Sequence, residues 1–239
     1  MEAAISLLTV LCTGASLYLW WHQRTPIYLL TLVSGAIGSV VSPLWPLLYG
    51  SSYASSMTVF YTLFGFTLYQ PVVIAASWFY PLPALVVLYL YRLRWWFPGY
   101  FTAILTYPGF LLYHVVIEVV GLNLNIWNYH DFYRVLPLGI AHWFLSALMA
   151  ALISLALLYI LLLTLRQSWD SMVIVILPSL LLLTLLVRGL LGAPVWISLL
   201  FRSQSWAASI GMLSTLALLA WAMHIVAWGM SRVHREITV

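Results

Sequence analysis

Residues 143–165, WFLSALMAALISLALLYILLLTL, contain no charged side chain and no histidine. Several further runs of the chain are nearly as long and as apolar. A helix needs about 20 such residues to cross the hydrocarbon core of a bilayer. Only 6% of the 239 residues are charged, roughly a quarter of the share in a soluble domain, and the mean hydropathy is +1.05. The fold class implied is all-α: an integral-membrane helical bundle. At this length it is expected to be a single transmembrane domain, 1–239, with no appended soluble domain.

The few charges exclude several functions. All nine basic residues are arginine. Without lysine there is no Schiff base, which rules out a seven-helix retinal protein. The net charge of +4 is spread over the ends of the runs, an orientation signal and not a nucleic-acid surface. Cys12 is the one cysteine, so an internal disulfide and a cysteine metal cluster are excluded. The start, MEAAISLLTV, lacks a basic n-region, and the first run is expected to be a retained span.

Seven spans are expected, over residues 3–21, 26–49, 72–91, 98–121, 136–165, 171–191 and 205–230. The segment 50–71 is too long for a turn and too broken for a clear span. An interfacial or re-entrant course fits it, and a crossing there would make eight helices. With the N-terminus outside and the C-terminus cytoplasmic, Arg24, Arg92, Arg94, Arg166, Arg232 and Arg235 fall inside, against Arg134 and Arg202 outside. That asymmetry obeys the positive-inside rule. Trp and Tyr gather at span ends (LYLWWH, YRLRWWF), as interfacial anchors do. Prolines at 43, 46, 81, 83, 108 and 178 read as ordinary membrane-helix prolines, and alternatively as bends around a pocket.

Depth then sorts the polar residues. In this topology Glu118 lies in the last turn of the fourth span, with His114 four residues earlier on the same face. His142 opens the fifth span, and Arg188 sits near the outer end of the sixth. The loop between the fourth and fifth spans adds Asn123, Asn125, Asn128, Tyr129, His130 and Asp131. Most of the embedded polar groups therefore share the outer end. A carboxylate in hydrocarbon costs about 2.5–3.5 kcal/mol on insertion scales, so it faces an interior or cavity. Glu118 is accordingly either a proton-handling group of a site or a structural partner of Arg188. Simple interfacial exposure is the third reading. Asp131 is a solvated loop acid, a partner of Arg134, or the second group of an acid–base pair with Glu118. His130 or Tyr129 would relay protons. Trp127, Tyr129 and Phe132 would shape an apolar pocket and face a developing cation.

Metal ligation by His114, Glu118 and His142 is disfavoured, because HVVIE lacks the second helical histidine of a metalloprotease helix. Haem ligation by two of His114, His142 and His224 is no better supported. His224 lies between Trp221 and Trp228 near the inner surface and reads as belt packing. GAIGSV reads as a small-residue helix contact.

The stretch Glu118 to Trp143, EVVGLNLNIWNYHDFYRVLPLGIAHW, resembles the avermectin-type spirocyclase family. It places a membrane acid, a glycine, an aromatic-x-Tyr and a proline-containing approach to the next helix in that order. Bacterial membrane carotenoid hydratases are loosely similar in the same region. Upstream, GAIGSVVSPLW and QPVVIAASWFYP look like the spirocyclase layout, so the resemblance covers about residues 35–145. The chain departs from it at Ser42-Pro43, where that family tends to carry an acid before proline. The resemblance implies a small polytopic enzyme that protonates, cyclises or hydrates a lipophilic polyketide or isoprenoid. It carries over Glu118, Trp127 and Tyr129 as site residues. The Trp-Glu-x-x-Tyr signature of fungal-type membrane terpene cyclases is absent.

The function expected is a cofactor-independent cyclase or hydratase of a bacterial cytoplasmic membrane. Its partners are a lipophilic small molecule and membrane lipid, with no metal and no nucleic acid. Glu118, Asp131, His130 and His114 are the candidate catalytic residues; Trp127, Tyr129, Asn128, His142 and Arg188 are the candidate substrate contacts. The alternative is a non-catalytic subunit that binds a carotenoid, quinone or lipid, or docks to a larger complex. A transporter is disfavoured, because no inverted repeat is visible and the acids lie on one side.

Overall fold

The computed structural model describes residues 2–54, 56–63, 66–129, 139–165, 167–199 and 205–238. Six helical stretches are long and apolar enough to cross a membrane: Glu2–Gln23, Gln70–Arg92, Tyr100–Asn123, His142–Thr164, Trp169–Leu191 and Trp206–Val233. The chain is a predominantly helical, multi-pass membrane protein. These stretches match six of the seven expected spans to within a few residues, save that the fifth begins at His142 instead of 136.

The exception is 26–49. It divides into α2 (Ile27–Gly38), a 3-10 turn over Ser39–Val41 and α3 (Leu44–Tyr49), after α1 (Glu2–Gln23). Pro43 and Pro46 lack the N–H that an uninterrupted ladder needs, so the helix tightens and restarts. The segment 50–71 is neither a span nor a re-entrant helix. It forms β1 (Ser51–Tyr53), β2 (Val59–Leu63) and β3 (Phe66–Tyr69), with β2 and β3 paired antiparallel. Its aromatic and β-branched residues suit a pleated ribbon, and pairing satisfies the backbone that a membrane edge leaves dry. Among the described residues of 50–71 no helix forms before Gln70.

After β3 the chain continues as α4 (Gln70–Phe79) and α5 (Pro81–Arg92), broken at Tyr80 where Pro81 and Pro83 interrupt the ladder. The Tyr80 carbonyl accepts from Ser154 at 2.9 Å. Next come α6 (Tyr100–Asn123), β4 (Trp127–Tyr129), α7 (His142–Thr164) and α8 (Trp169–Thr184), which widens into a π-turn over Leu185–Leu191. Helices α9 (Ala193–Ser198) and α10 (Ser205–Thr238) close the chain.

Helix α7 is the hub. It is buried nearly all round and packs on α5, α6, α8 and α10, whereas α1 touches chiefly α2 and α4 and has one buried residue, Ser16. Its small residues Ala147, Ala150, Ala151 and Ser154 are buried and let neighbouring backbones approach. GAIGSV works as expected: Gly35 lies against the backbone of Ala76 and Ser77, and Gly38 against Leu180.

Contacts divide the bundle into two ends. At one, Gln23 Oε1 accepts from Tyr28 at 3.1 Å and from Arg92 at 2.9 Å, and Tyr100 pairs with His224 Nδ1 at 2.9 Å. At the other, Glu2 accepts from the Thr58 backbone at 3.0 Å, and the Tyr49 hydroxyl donates to the Arg188 carbonyl at 2.5 Å.

Candidate functional site

The end of α6 determines the site. Asn125 has a left-handed φ of 51°. The Ile126 N–H reaches the Gly121 carbonyl at 2.9 Å and the Asn125 N–H reaches Leu122 at 3.1 Å. That pair of bonds is a Schellman cap with Asn at its left-handed position. It reverses the chain, buries Ile126 and lays the indole of Trp127 over Gly121. A Cβ on residue 121 would fall inside that ring, so only glycine admits the fold-back. Strand β4 then pairs with β1, Tyr53 opposite Trp127 and Ser51 opposite Tyr129. Alternation along β4 turns Trp127 and Tyr129 inward and Asn128 outward.

Glu118 is 3% exposed, and its carboxylate accepts three hydrogen bonds. Trp127 Nε1 and the Tyr129 hydroxyl donate to Oε2 at 2.9 and 3.1 Å, and the Ser146 hydroxyl donates to Oε1 at 2.5 Å. Arg188 Nη2 donates to Ser146 Oγ at 3.0 Å. Guanidinium and carboxylate are thus linked through a hydroxyl. Between these two described residues the link runs through Ser146, so a structural partnership of Glu118 with Arg188 and a place in a site both stay open.

Arg188 sits inside the π-turn. Such turns free carbonyls from the usual ladder and recur at functional sites. Here the Arg188 carbonyl takes the Tyr49 hydroxyl, and the Gly189 carbonyl takes Trp196 Nε1 at 3.0 Å. The Arg188 guanidinium lies 6.0 Å from the ring centres of Trp45 and of Tyr80.

These side chains line a cavity of about 140 Å³. Its polar wall holds Glu118, Ser146, Arg188, Tyr129 and His142, and its apolar wall holds Ile5, Val72, Ala75, Ala76 and Phe79. His142 stacks on Tyr129, ring centres 4.3 Å apart, and meets Tyr49 edge-on at 5.7 Å. Burial pushes the phenols of Tyr53 and Tyr129 above the ordinary tyrosine range, so both stay neutral donors.

The structure therefore brings Glu118, Trp127, Tyr129, His142 and Arg188 together. Two expected members fall outside. His114 lies one turn further in, beneath the rings of Phe79 and Tyr80, with Nε2 bonded to Ser154 at 2.9 Å. Asn128 faces away and is exposed. His130, Asp131 and Phe132 lie outside the described residues. Ser146, Tyr49, Tyr53 and Tyr80 line the cavity but were not expected there. Only Ser146 left a signal, four residues after His142 and so on the same helical face. Among the described residues no three His, Cys, Asp or Glu side chains gather as a metal site.

The features define a class: a multi-pass helical membrane protein with a carboxylate, a hydroxyl and a guanidinium converging on a sheltered cavity at one end. The chain matches no family model, no curated protein and no solved structure.

Proposed function

We propose that the chain is an integral-membrane cyclase or hydratase that moves a proton on a lipophilic isoprenoid or polyketide at Glu118. One observation carries this reading: a buried carboxylate, oriented by three neutral donors, opens on a cavity with an apolar wall. A carboxylate has about four acceptor sites, and three are occupied, which leaves one on Oε1 for a substrate hydroxyl or water. With every neighbouring donor aimed at it, Glu118 acts as the base. Arg188 beside it stabilises negative charge that develops on a reacting oxygen, and the protonated Glu118 returns the proton it took. The resemblance to the spirocyclases, carried by Glu118, Trp127 and Tyr129, points the same way.

The same proposal includes seven crossings, with the N-terminus outside and the C-terminus cytoplasmic. In its support, residues 27–49 begin beside Gln23 and end beside Arg188, although no single helix spans them. Arg24, Arg92, Arg94 and Arg232 lie towards the Gln23 end, as the positive-inside rule requires of the cytoplasmic side.

A second reading has its own observation. The chain Arg188–Ser146–Glu118 is satisfied by the protein's own groups and ties α6, α7 and the π-turn together, as a purely structural device in a ligand-binding subunit would. One experiment separates the two. Wild type and Glu118→Gln, each in nanodiscs prepared in D₂O, are incubated with linear isoprenoids and long-chain hydroxyketones, and products are read by mass spectrometry. Wild type should convert at least one compound with deuterium uptake, and the variant should lose about 10²-fold or more of that rate. Full activity in a folded Glu118→Gln protein would refute the assignment of the proton transfer to Glu118. A coloured or lipid ligand co-purifying in stoichiometric amount, with no turnover, would favour the binding subunit.

A further inference from the structure

We propose that the Nε–H of Arg188 anchors a neutral oxygen acceptor, such as a ketone or ester carbonyl, at the head of the lipophile. This rests on the reading of the cavity as a substrate site, and it concerns how the substrate is held.

Three observations carry it. First, Arg188 Nε is buried and has no hydrogen-bond partner among the described residues, while Nη2 is committed to Ser146. A guanidinium carries donors only, so the group that satisfies Nε is an acceptor. Second, Glu118 and Arg188 are the only Asp, Glu, Lys or Arg side chains among the described lining residues. Their charges are opposite and are linked through Ser146. A carboxylate or phosphate head would bring an unbalanced negative charge beside Glu118, in a place too dry to screen it. An ammonium head would meet Arg188 with the same difficulty. A neutral acceptor adds no charge.

Third, the cavity of about 140 Å³ is close in size to an engineered cavity that takes one benzene. It holds a head group and a few carbons. The remainder of a long chain has to leave, and the apolar wall of Ile5, Val72, Ala75 and Ala76, where α1 packs on α4, is the face that suits it. Helix α1, which contributes Ile5 to this wall, is the least buried of the six long helices. A tail passing there meets lipid.

The test uses the full-length protein in nanodiscs with 2-tetradecanone carrying ¹³C at the carbonyl, followed by isotope-edited infrared spectroscopy. Wild type should bind the ketone saturably, above the partition into empty nanodiscs, with its carbonyl stretch at lower wavenumber. Tetradecane and myristate should not compete. Arg188→Lys retains the charge but removes Nε–H; it should lose the shifted band and bind about tenfold or more weakly. The wild-type competition needs no variant, so misfolding of Arg188→Lys leaves the test intact. Failure of the ketone to bind, an unshifted carbonyl band, equal binding of tetradecane, or displacement by myristate would each overturn the anchor. Glu118-dependent turnover alongside any of these would sink the anchor and spare the enzyme reading. A shifted, saturable ketone with no Glu118-dependent turnover would do the reverse.

Discussion

Replacing Gly121 with alanine probes the fold-back that delivers Trp127 to Glu118. The new methyl would lie closer to indole atoms Cζ2, Cη2 and Cε2 than real side-chain contacts come. The helix end cannot yield, because the carbonyls of Gly121 and Leu122 each hold a bond of the Schellman cap. The indole must therefore swing away and give up its 2.9 Å bond to Glu118. Overpacking costs about 1–3 kcal/mol, and a lost hydrogen bond to a charged group about 1.5–3 kcal/mol. The helical gain of alanine over glycine returns about 0.5–1 kcal/mol. The net loss expected is about 2–5 kcal/mol, measured by reversible denaturant unfolding in mixed micelles. In a Trp127→Leu background the same alanine should be neutral to within about 1 kcal/mol, because nothing is left for it to strike. Equal costs in the two backgrounds would refute the collision and the route by which Trp127 reaches the carboxylate.

Ser146→Ala should cost about 1–3 kcal/mol in the same unfolding measurement, since it leaves one donor of Arg188 and one oxygen of Glu118 without their shared hydroxyl; Ser146→Thr, which retains the hydroxyl, should recover most of it. Asn125→Gly should match or exceed wild-type stability, whereas Asn125→Val should lose about 1–2 kcal/mol for a branched residue forced to a left-handed φ. The raised phenols of Tyr53 and Tyr129 contribute stability that is whole below the ordinary tyrosine pKa of about 10 and is lost as pH rises beyond it. The melting temperature should accordingly fall in alkali, and replacing either tyrosine with phenylalanine should flatten that fall.

Much of the site could be read before the fold, for a physical reason. An acid in hydrocarbon has to be sheltered, so Glu118 announces a chamber, and aromatic donors a few residues later are natural partners. Azimuth and depth are separate coordinates, however. His114 shares a helical face with Glu118, yet it lies a turn further in, where Phe79 and Tyr80 close over it. Asn128 is lost to the alternation of a three-residue strand within what reads as a loop. Ser146 is hard to single out because a serine costs little in a membrane helix and many are incidental. The break in 26–49 was written in Pro43 and Pro46, but membrane helices often carry prolines without stopping. The segment 50–71 has the length of a crossing but is broken, and the β-branched and aromatic content of Val59–Leu63 and Phe66–Tyr69 is what suits strands.

The wide turn at Leu185–Leu191 alters the phase of everything downstream. Closing i to i−5 in place of i−4 inserts one extra residue, and at 3.6 residues per turn that rotates later side chains by about 100°. The lower part of α8 can keep its seam against α2 while α9 meets α10 on an independently set heading. Shortening this coil by one residue would therefore re-aim α9 while the seam of α8 with α2 stays in place.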